Sequence, residues 1–389
     1  MPNYVVPFVN YPRMHRNHHT EYESAICGCL HSGDLLFRSD LIKFENNFAQ
    51  YCGCKYGIGT GSCSNALFLS LKALGIGPGD EVITIAHTFV ATVDAIISCG
   101  ATPILVDVNE SDMLMDMDKA AQAMTSRTKA IIPVHLNGRM CDMDKWKEND
   151  VADQRIHIIE DAAQAPGASL CGRRAGSWGV LGCFSFYPAK VLGSFGDGGM
   201  ITTNDKPLYE TLLHLRSHGE PPPYLCRNPN KEIRMWGHHS RLDNVAAAYL
   251  NVKMKYLNDC IYWRRAHTDS YNHGLDGFPI TLPSGLRVSS RDVYQNYVIR
   301  LDSTGTRDSL KAHLESRGVE TLISWPIPLH KQPWPIPLHK QPALQADIGH
   351  FDLPVTERIS KTCLSLPLYP ELTDEEIRYV IRAVRSYFT

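Results

Sequence analysis

The chain has 389 residues, with 39 Lys or Arg against 41 Asp or Glu, a net charge of −2, 43% hydrophobic residues and 21% charged ones. That length can bury a large core and, at roughly 150 residues per domain, predicts two domains. A near-neutral balance carries no electrostatic footprint for nucleic acid, and no run approaches the ~18 apolar residues that a membrane span needs.

In chain order, Met1-Pro2-Asn3-Tyr4-Val5-Val6-Pro7 lacks the basic start and apolar run of a signal peptide, which points to a cytoplasmic protein. The twelve cysteines are scattered from Cys27 to Cys363. The pairs Cys27/Cys29 and Cys52/Cys54 have one intervening residue, so they match neither a redox CxxC nor a zinc pattern; reduced thiols and no metal site are expected. Short β-branched runs at Val82–Ala86, Pro103–Val108, Ala130–His135, Ile156–Glu160 and Cys183–Tyr187 read as buried strands. Helical patterns such as Asn65–Leu74 and Phe89–Ser98 lie between them. Strands alternating with helices predict crossover units and a largely parallel sheet covered on both faces. Ligands of such sheets collect beyond the carboxyl ends of the strands.

After Arg241-Leu242-Asp243-Asn244 a long helix is predicted from Val245 to about Asn258, dividing the chain into a large unit, 1–258, and a smaller α/β unit, 259–389. The latter closes with a helix Asp374–Tyr387, N-capped by Thr373 with acidic residues in its first turn. Within this second unit the nonapeptide Trp325–Pro333 recurs unchanged as Trp334–Pro342. One perfect repeat is too short for a solenoid, and its prolines favour an extended loop.

Chemistry concentrates in Ile159-Glu160-Asp161-Ala162-Ala163-Gln164-Ala165 and, further on, Ser185-Phe186-Tyr187-Pro188-Ala189-Lys190 with Gly196-Asp197-Gly198-Gly199. A lysine nucleophile needs an aldehyde to form a Schiff base and a partner that tunes the resulting electron sink. Asp161, at the end of a predicted buried strand, suits a carboxylate facing a pyridine nitrogen, because a cationic ring would relieve an otherwise costly buried charge. Alternatively, Asp161 caps a turn and Lys190 lies on the surface. The glycines at 193, 196, 198 and 199 suit a close backbone approach to a ligand.

The two blocks, Glu-Asp-Ala-Ala-Gln-Ala and Ser-Phe-x-Pro-x-Lys-x-Leu-Gly-x-x-Gly-Asp-Gly-Gly, resemble those of the DegT/DnrJ/EryC1/StrS family of sugar aminotransferases dependent on pyridoxal 5'-phosphate (PLP), and the likeness extends over essentially the whole chain. The resemblance implies the PLP-dependent aminotransferase fold (fold type I). It implies a homodimer with an active site shared between subunits, and transfer of an amino group from L-glutamate or glutamine to a keto sugar, commonly nucleotide-linked, with pyridoxamine 5'-phosphate (PMP) formed midway. Lys190 would carry the cofactor and shuttle the proton. Asp161 would pair with the ring nitrogen, Gln164 would lie near the ring oxygen, and Ser185 would bind the phosphate. Phe89 would stack on the ring, unless it is an ordinary core aromatic. Cys63 and Ser64 stand where the family has Gly and Thr in a phosphate-binding turn at a helix N-terminus; Ser64 as a plain N-cap is the other reading. His239 replaces an Asn that reaches the phosphate from the neighbouring subunit, and it can still donate a hydrogen bond. His218, together with His330 or its repeat counterpart His339, resembles substrate-pocket positions. Arg216, Arg227 and Lys231 are candidate partners for a diphosphate. Two rivals of the same fold are a sugar dehydratase, whose relatives carry His where Lys190 stands, and a silent sensor. A simple nucleotide-binding protein is disfavoured, since no Gly-x-Gly-x-x-Gly or Walker-type loop is present.

Overall fold

The computed structural model describes residues 4–145, 156–220, 233–283, 289–332 and 351–389. Three helices, α1 (Tyr11–Arg16), α2 (His19–Ser32) and α3 (Ser39–Cys52), precede the first strand. Gly53 ends α3 in the left-handed conformation (φ 82°) that favours glycine.

A seven-stranded sheet follows, built from β1 (Tyr56–Thr60), β2 (Glu81–Ile85), β3 (Thr102–Val106), β4 (Thr128–Ile131), β5 (His157–Asp161), β8 (Leu181–Ser185) and β9 (Gly199–Thr203). The short strands β6 (Ser169–Leu170) and β7 (Arg173–Arg174) form a separate small sheet with β10 (Ser290–Arg291). The order across the large sheet is β1-β9-β8-β5-β4-β2-β3. Strands β3, β2, β4, β5 and β8 are mutually parallel, as the crossover pattern predicts, while β9 runs antiparallel to both β8 and β1. Every residue of β2, β8 and β9 is buried, as expected of strands covered on both faces. The crossovers carry α4 (Cys63–Ala73), α5 (Val90–Ser98) and α6 (Met117–Gln122), with α7 (Lys206–Leu215) after β9.

The connecting helix differs from its prediction. It is two helices, α8 (Asn244–Lys255) and α9 (Leu257–Leu275), meeting at Tyr256, whose backbone leaves the helical region (φ −105°, ψ 2°). Tyr256 is drawn to α2: its ring stacks on His18 at 3.6 Å between centroids, and its hydroxyl donates to Glu21. The helical axis therefore breaks at Tyr256 and continues well past Asn258.

Towards the C-terminus, α9, α10 (Thr304–Ser316) and α12 (Asp374–Phe388) pack with the antiparallel pair β11 (Tyr297–Arg300) and β12 (Cys363–Leu366), and α11 (Pro354–Thr362) leads into β12. The core here includes Tyr271, Tyr297, Leu310, Leu364 and Val380. Val6 joins it from the start of the chain, through hydrogen bonds Val6 N–H to Gly318 O and Glu320 N–H to Val6 O, both 3.0 Å. The capping box at Thr373 is formed with Glu376 as N3.

Asp107, just past β3, joins the units. Its buried carboxylate accepts the N–H groups of Val355 (3.0 Å) and Thr356 (2.8 Å) and the Thr356 hydroxyl (2.7 Å), capping α11 from the other unit. Beside it, the first nonapeptide copy docks by Leu329, buried against Ala86, Val93, Leu105 and Leu353, with Leu329 N–H donating to Ala86 O at 3.1 Å. The second copy, including His339, lies outside the described residues. Leu329→Ala is expected to destabilise the protein by about 2–3 kcal/mol, as truncating a buried leucine does. Denaturant unfolding of the variant beside the wild type tests this; an unchanged midpoint would contradict it.

Candidate active site

The carboxyl ends of β5 and β8 and the N-termini of α4 and α5 converge on one cavity of ≈ 550 Å³. Its walls carry Lys190, Asp161, Gln164, Ser185, Phe89, Cys63 and Ser64 together. Residues far apart in the chain are thus gathered by the parallel sheet at the end where ligands collect.

Asp161 ends β5 and is 5% exposed. Its backbone is held on both sides, by Asp161 N–H to Pro133 O (2.9 Å) and His135 N–H to Asp161 O (3.0 Å). Its Oδ2 accepts from the Thr92 hydroxyl at 2.8 Å, Thr92 in turn lies 3.1 Å from the Thr88 hydroxyl, and Oδ1 accepts the Ala163 N–H at 3.2 Å. Asp161 therefore does organise a turn, but it also faces the cavity. Burial pushes its carboxyl pKa up, against the hydrogen bonds and the Lys190 charge, which pull it down. It has no salt-bridge partner among the described residues, so a cationic group in the cavity would stabilise it. Burial acts in the opposite sense on Lys190, pushing its amine below the ordinary lysine value. The neighbouring carboxylate, Glu160, points to the other face of the strand. It accepts from His135 Nε2 (2.9 Å) and from the N–H groups of Gly176 (2.8 Å), Trp178 (2.6 Å) and Gly179 (2.7 Å). His135 Nδ1 accepts the Cys141 N–H at 3.2 Å, which leaves the ring proton on Nε2.

At the start of α4, the N-cap is Ser62, whose side chain accepts the Asn65 N–H at 3.2 Å; Ser64 is not the cap. The first-turn N–H groups of Cys63 and Ser64 donate to no other described residue, and with the Ser64 and Ser185 hydroxyls they form a donor cluster suited to a phosphate. Phe89 is 59% exposed, stands at the N-terminus of α5 and lines the cavity, so it is not a core aromatic. Gln164 Oε1 accepts the Asn137 N–H at 2.6 Å, leaving its amide N–H groups for the cavity. The pocket thus fits a planar, anionic, pyridine-type cofactor: a buried carboxylate with no salt-bridge partner among the described residues, a buried amine, a phosphate cup and an exposed aromatic face.

Two of the four glycines are required by the chain's own packing. A Cβ on Gly199 would come within 2.5 Å of Ser62 O and 2.7 Å of Cys63 N, and one on Gly193 would strike Pro188 O. These two allow the chain to pack on itself and so support the α4 turn and the Lys190 loop. Gly196 has open space around it.

Of the candidate histidines, His218, His239 and His330 are not gathered into this cavity. His218 (φ 58°) and His239 are exposed with rings 5.5 Å apart, and His239 Nε2 accepts from Arg241 at 2.6 Å. His330 is turned away, its Nε2 3.1 Å from Glu357 Oε1. Arg216 is fully buried in an ion pair with Glu45 and a hydrogen bond to Gly59 O, so it is not available to a diphosphate; Arg227 and Lys231 lie outside the described residues.

Several contributors were not foreseen from sequence. Thr92 orients Asp161, and Gln295 clamps the backbone on both sides of Lys190, accepting the Val191 N–H at 2.9 Å and donating to Ala189 O at 2.8 Å. Trp325, held at φ 51° with its ring edge-on to His87 (5.7 Å), walls both this cavity and an adjoining chamber of ≈ 310 Å³. The two spaces also share Gln164, Tyr187 and Lys190, and the chamber adds Asn296 and Ser324.

Residues 17–385 match the model of the DegT/DnrJ/EryC1/StrS aminotransferase family. The chain is 38% identical to a dTDP-3-amino-3,4,6-trideoxy-alpha-D-glucose transaminase of Streptomyces venezuelae, over 98% of this chain and 96% of the relative. It superimposes on S. venezuelae DesV, solved in complex with a ketimine intermediate, with a TM-score of 0.88 and 37% identity, covering 100% and 99% of the two chains. NtdA from Bacillus subtilis, solved with bound cofactor PMP, gives 0.87 and 30% identity, covering 99% and 85%.

Thr92→Val keeps shape but removes the donor to Asp161. Roughly tenfold weaker cofactor binding is expected, the effect of one charge-assisted hydrogen bond. Equilibrium dialysis against PLP measures it, and an unchanged affinity would remove Thr92 from the site.

Proposed function

The chain belongs to the DegT/DnrJ/EryC1/StrS aminotransferase family, and we propose that it moves an amino group from L-glutamate or glutamine onto a nucleotide-linked keto-deoxy sugar. It is a sugar aminotransferase of amino-sugar biosynthesis, and its cofactor is PLP, with PMP as the second form. One observation carries the assignment of roles: the Lys190 amine and the Asp161 carboxylate line the same cavity, each with its pKa moved by burial. A lysine at position 190 also argues against the dehydratase reading.

When bound, the cofactor supplies an electron-withdrawing ring that acidifies the C–H bond beside the donor's amino group. Lys190 would hold it covalently through Nζ, and Asp161 would hold the ring nitrogen in its charged form. Ser64, Ser185 and the first-turn N–H groups of α4 would take the phosphate, with Cys63 filling the turn beneath it. Phe89 would cover the ring face, and the Gln164 amide would donate to the ring oxygen. With its amine free, Lys190 would take the donor's α-proton on Nζ and hold it for return to the cofactor; burial, which lowers the pKa of this amine, favours its neutral, basic form. The sugar would enter the adjoining chamber, where Asn296 and Ser324 offer hydrogen bonds to hydroxyls.

His239 and His218 are exposed and outside their own protomer's cavity, which agrees with a homodimer in which His239 serves the partner's phosphate. His330 is paired with Glu357, so it would serve the substrate only after a loop rearrangement; His339, in the second repeat copy, lies outside the described residues and is kept as a candidate from the sequence alone. No helix among the described residues is long and apolar enough to cross a membrane; a cytoplasmic location without nucleic-acid partners is the reading adopted.

The purified protein should be yellow, borohydride should fix the cofactor on Lys190 as read by peptide mass spectrometry, and Lys190→Ala should lose turnover altogether. Sustained multiple turnover by that variant refutes the assignment. Shared sites make a second prediction: mixing inactive Lys190→Ala with cofactor-deficient His239→Ala restores activity, because each hybrid dimer contains one intact site. Mixtures that stay as inactive as their components would remove His239 from the site.

A further inference from the structure

Lys190 lies between β8 and β9 in a stretch, residues 186–198, that contains no helix or strand. The stretch is tied across itself by Phe186 N–H to Gly198 O (2.8 Å) and Ser194 N–H to Phe186 O (2.7 Å), and Lys190 N–H donates to Tyr187 O at 2.9 Å. Peptide groups are planar, so the direction of a residue's Cα–Cβ bond follows from the two peptide planes that flank its Cα. A long side chain magnifies any error in those planes at its tip. Gln295 grips both planes at Lys190: its Oε1 accepts the Val191 N–H at 2.9 Å, and its Nε2 donates to Ala189 O at 2.8 Å. The task needs a donor and an acceptor side by side, which a primary amide supplies.

Gln295 is itself fixed by groups outside the Lys190 stretch. It is 8% exposed, its N–H donates to Asn137 O at 2.9 Å, and its carbonyl accepts from Arg264 Nη1 at 3.3 Å. It packs so closely on the neighbouring turn that a Cβ on Gly138 would come within 2.7 Å of its backbone nitrogen. On that same turn, Asn137 donates its N–H to Gln164 Oε1 at 2.6 Å and accepts from Asn296 Nδ2 at 3.2 Å. One junction therefore sets both the backbone of Lys190 and the amide of Gln164, while the phosphate cup is built separately on α4 and β8. We propose that Gln295 is a positioning residue for the reactive lysine: it aims Nζ at the cofactor, so its loss slows bond formation rather than cofactor binding. The proposal rests on the assignment of Lys190 as the residue that carries the cofactor.

The test strips PLP from the full-length wild type and from Gln295→Met and Gln295→Glu, then adds it back over a range of concentrations. In the capture step Nζ adds to the aldehyde carbon, a C=N bond forms and the aldehyde oxygen leaves as water. Growth of the visible band reports the rate, and borohydride reduction with peptide mass spectrometry locates the bond. Misplacing reacting atoms by about 1 Å can cost roughly a hundredfold, so the limiting rate at saturating PLP should fall about tenfold or more in Gln295→Met. The half-saturating concentration should stay within about threefold of wild type, less than one lost hydrogen bond to the cofactor would produce. Gln295→Glu keeps the shape and the acceptor for Val191 N–H but turns an oxygen on the Ala189 carbonyl; it should also slow capture, and it decides in place of Gln295→Met if that variant does not fold. A wild-type limiting rate in folded Gln295→Met, or a loss confined to the half-saturating concentration, would overturn the proposal. Wild-type protein fixed by borohydride at a residue other than Lys190 would instead sink the assignment on which it rests.

Discussion

The structure turns on a carboxylate kept away from water at the end of a central strand. Asp161 is buried, oriented by a side-chain hydroxyl and a backbone N–H, and has no salt-bridge partner among the described residues. Left alone, such a charge costs several kcal/mol. A cationic aromatic nitrogen offsets that cost and is held in its protonated form by it. Much of the surrounding architecture, from the parallel pairing of β4, β5 and β8 to the turn at Ala163, fixes where this carboxylate points.

The alternation of β5 assigns its last two acids opposite tasks. Glu160 is saturated by three backbone donors and His135, so it is a structural anion tying β5 to the Gly176–Gly179 turn. Asp161, one residue on, faces the opposite side with donors on only part of its surface. Period-two geometry thus separates a spent carboxylate from an available one within a single dipeptide.

Much of this could be read from the sequence, and the reasons are local. The five parallel strands are short apolar runs between helical patterns, and the Asp161 and Lys190 blocks are contiguous. Strands β1 and β9 escaped notice because they are rich in Gly and Thr and pair antiparallel, without a crossover helix between β8 and β9. Thr92 and Gln295 are ordinary residue types whose roles exist only through tertiary contact, Gln295 lying 104 positions from the peptide group it grips. The glycines near Lys190 suggest a ligand when read in sequence, yet Gly199 and Gly193 make room for the protein's own backbone. The break at Tyr256 depends on His18 and Glu21, which no pattern inside the helix reports. Likewise nothing local reveals that Ser62 rather than Ser64 caps α4, or that Glu357 holds His330.

The Asp107 cap has a dynamic consequence. Helix ends leave N–H groups that must find acceptors, and here the acceptor for α11 lies about 250 residues earlier in the chain, just past β3. Any rigid-body swing of the C-terminal unit away from the sheet must strip three hydrogen bonds from one carboxylate and expose the orphaned helix end. Movement along this seam is therefore opposed by all three bonds at once, which favours local shifts of the loops bordering the pocket over a swing of α11 away from β3.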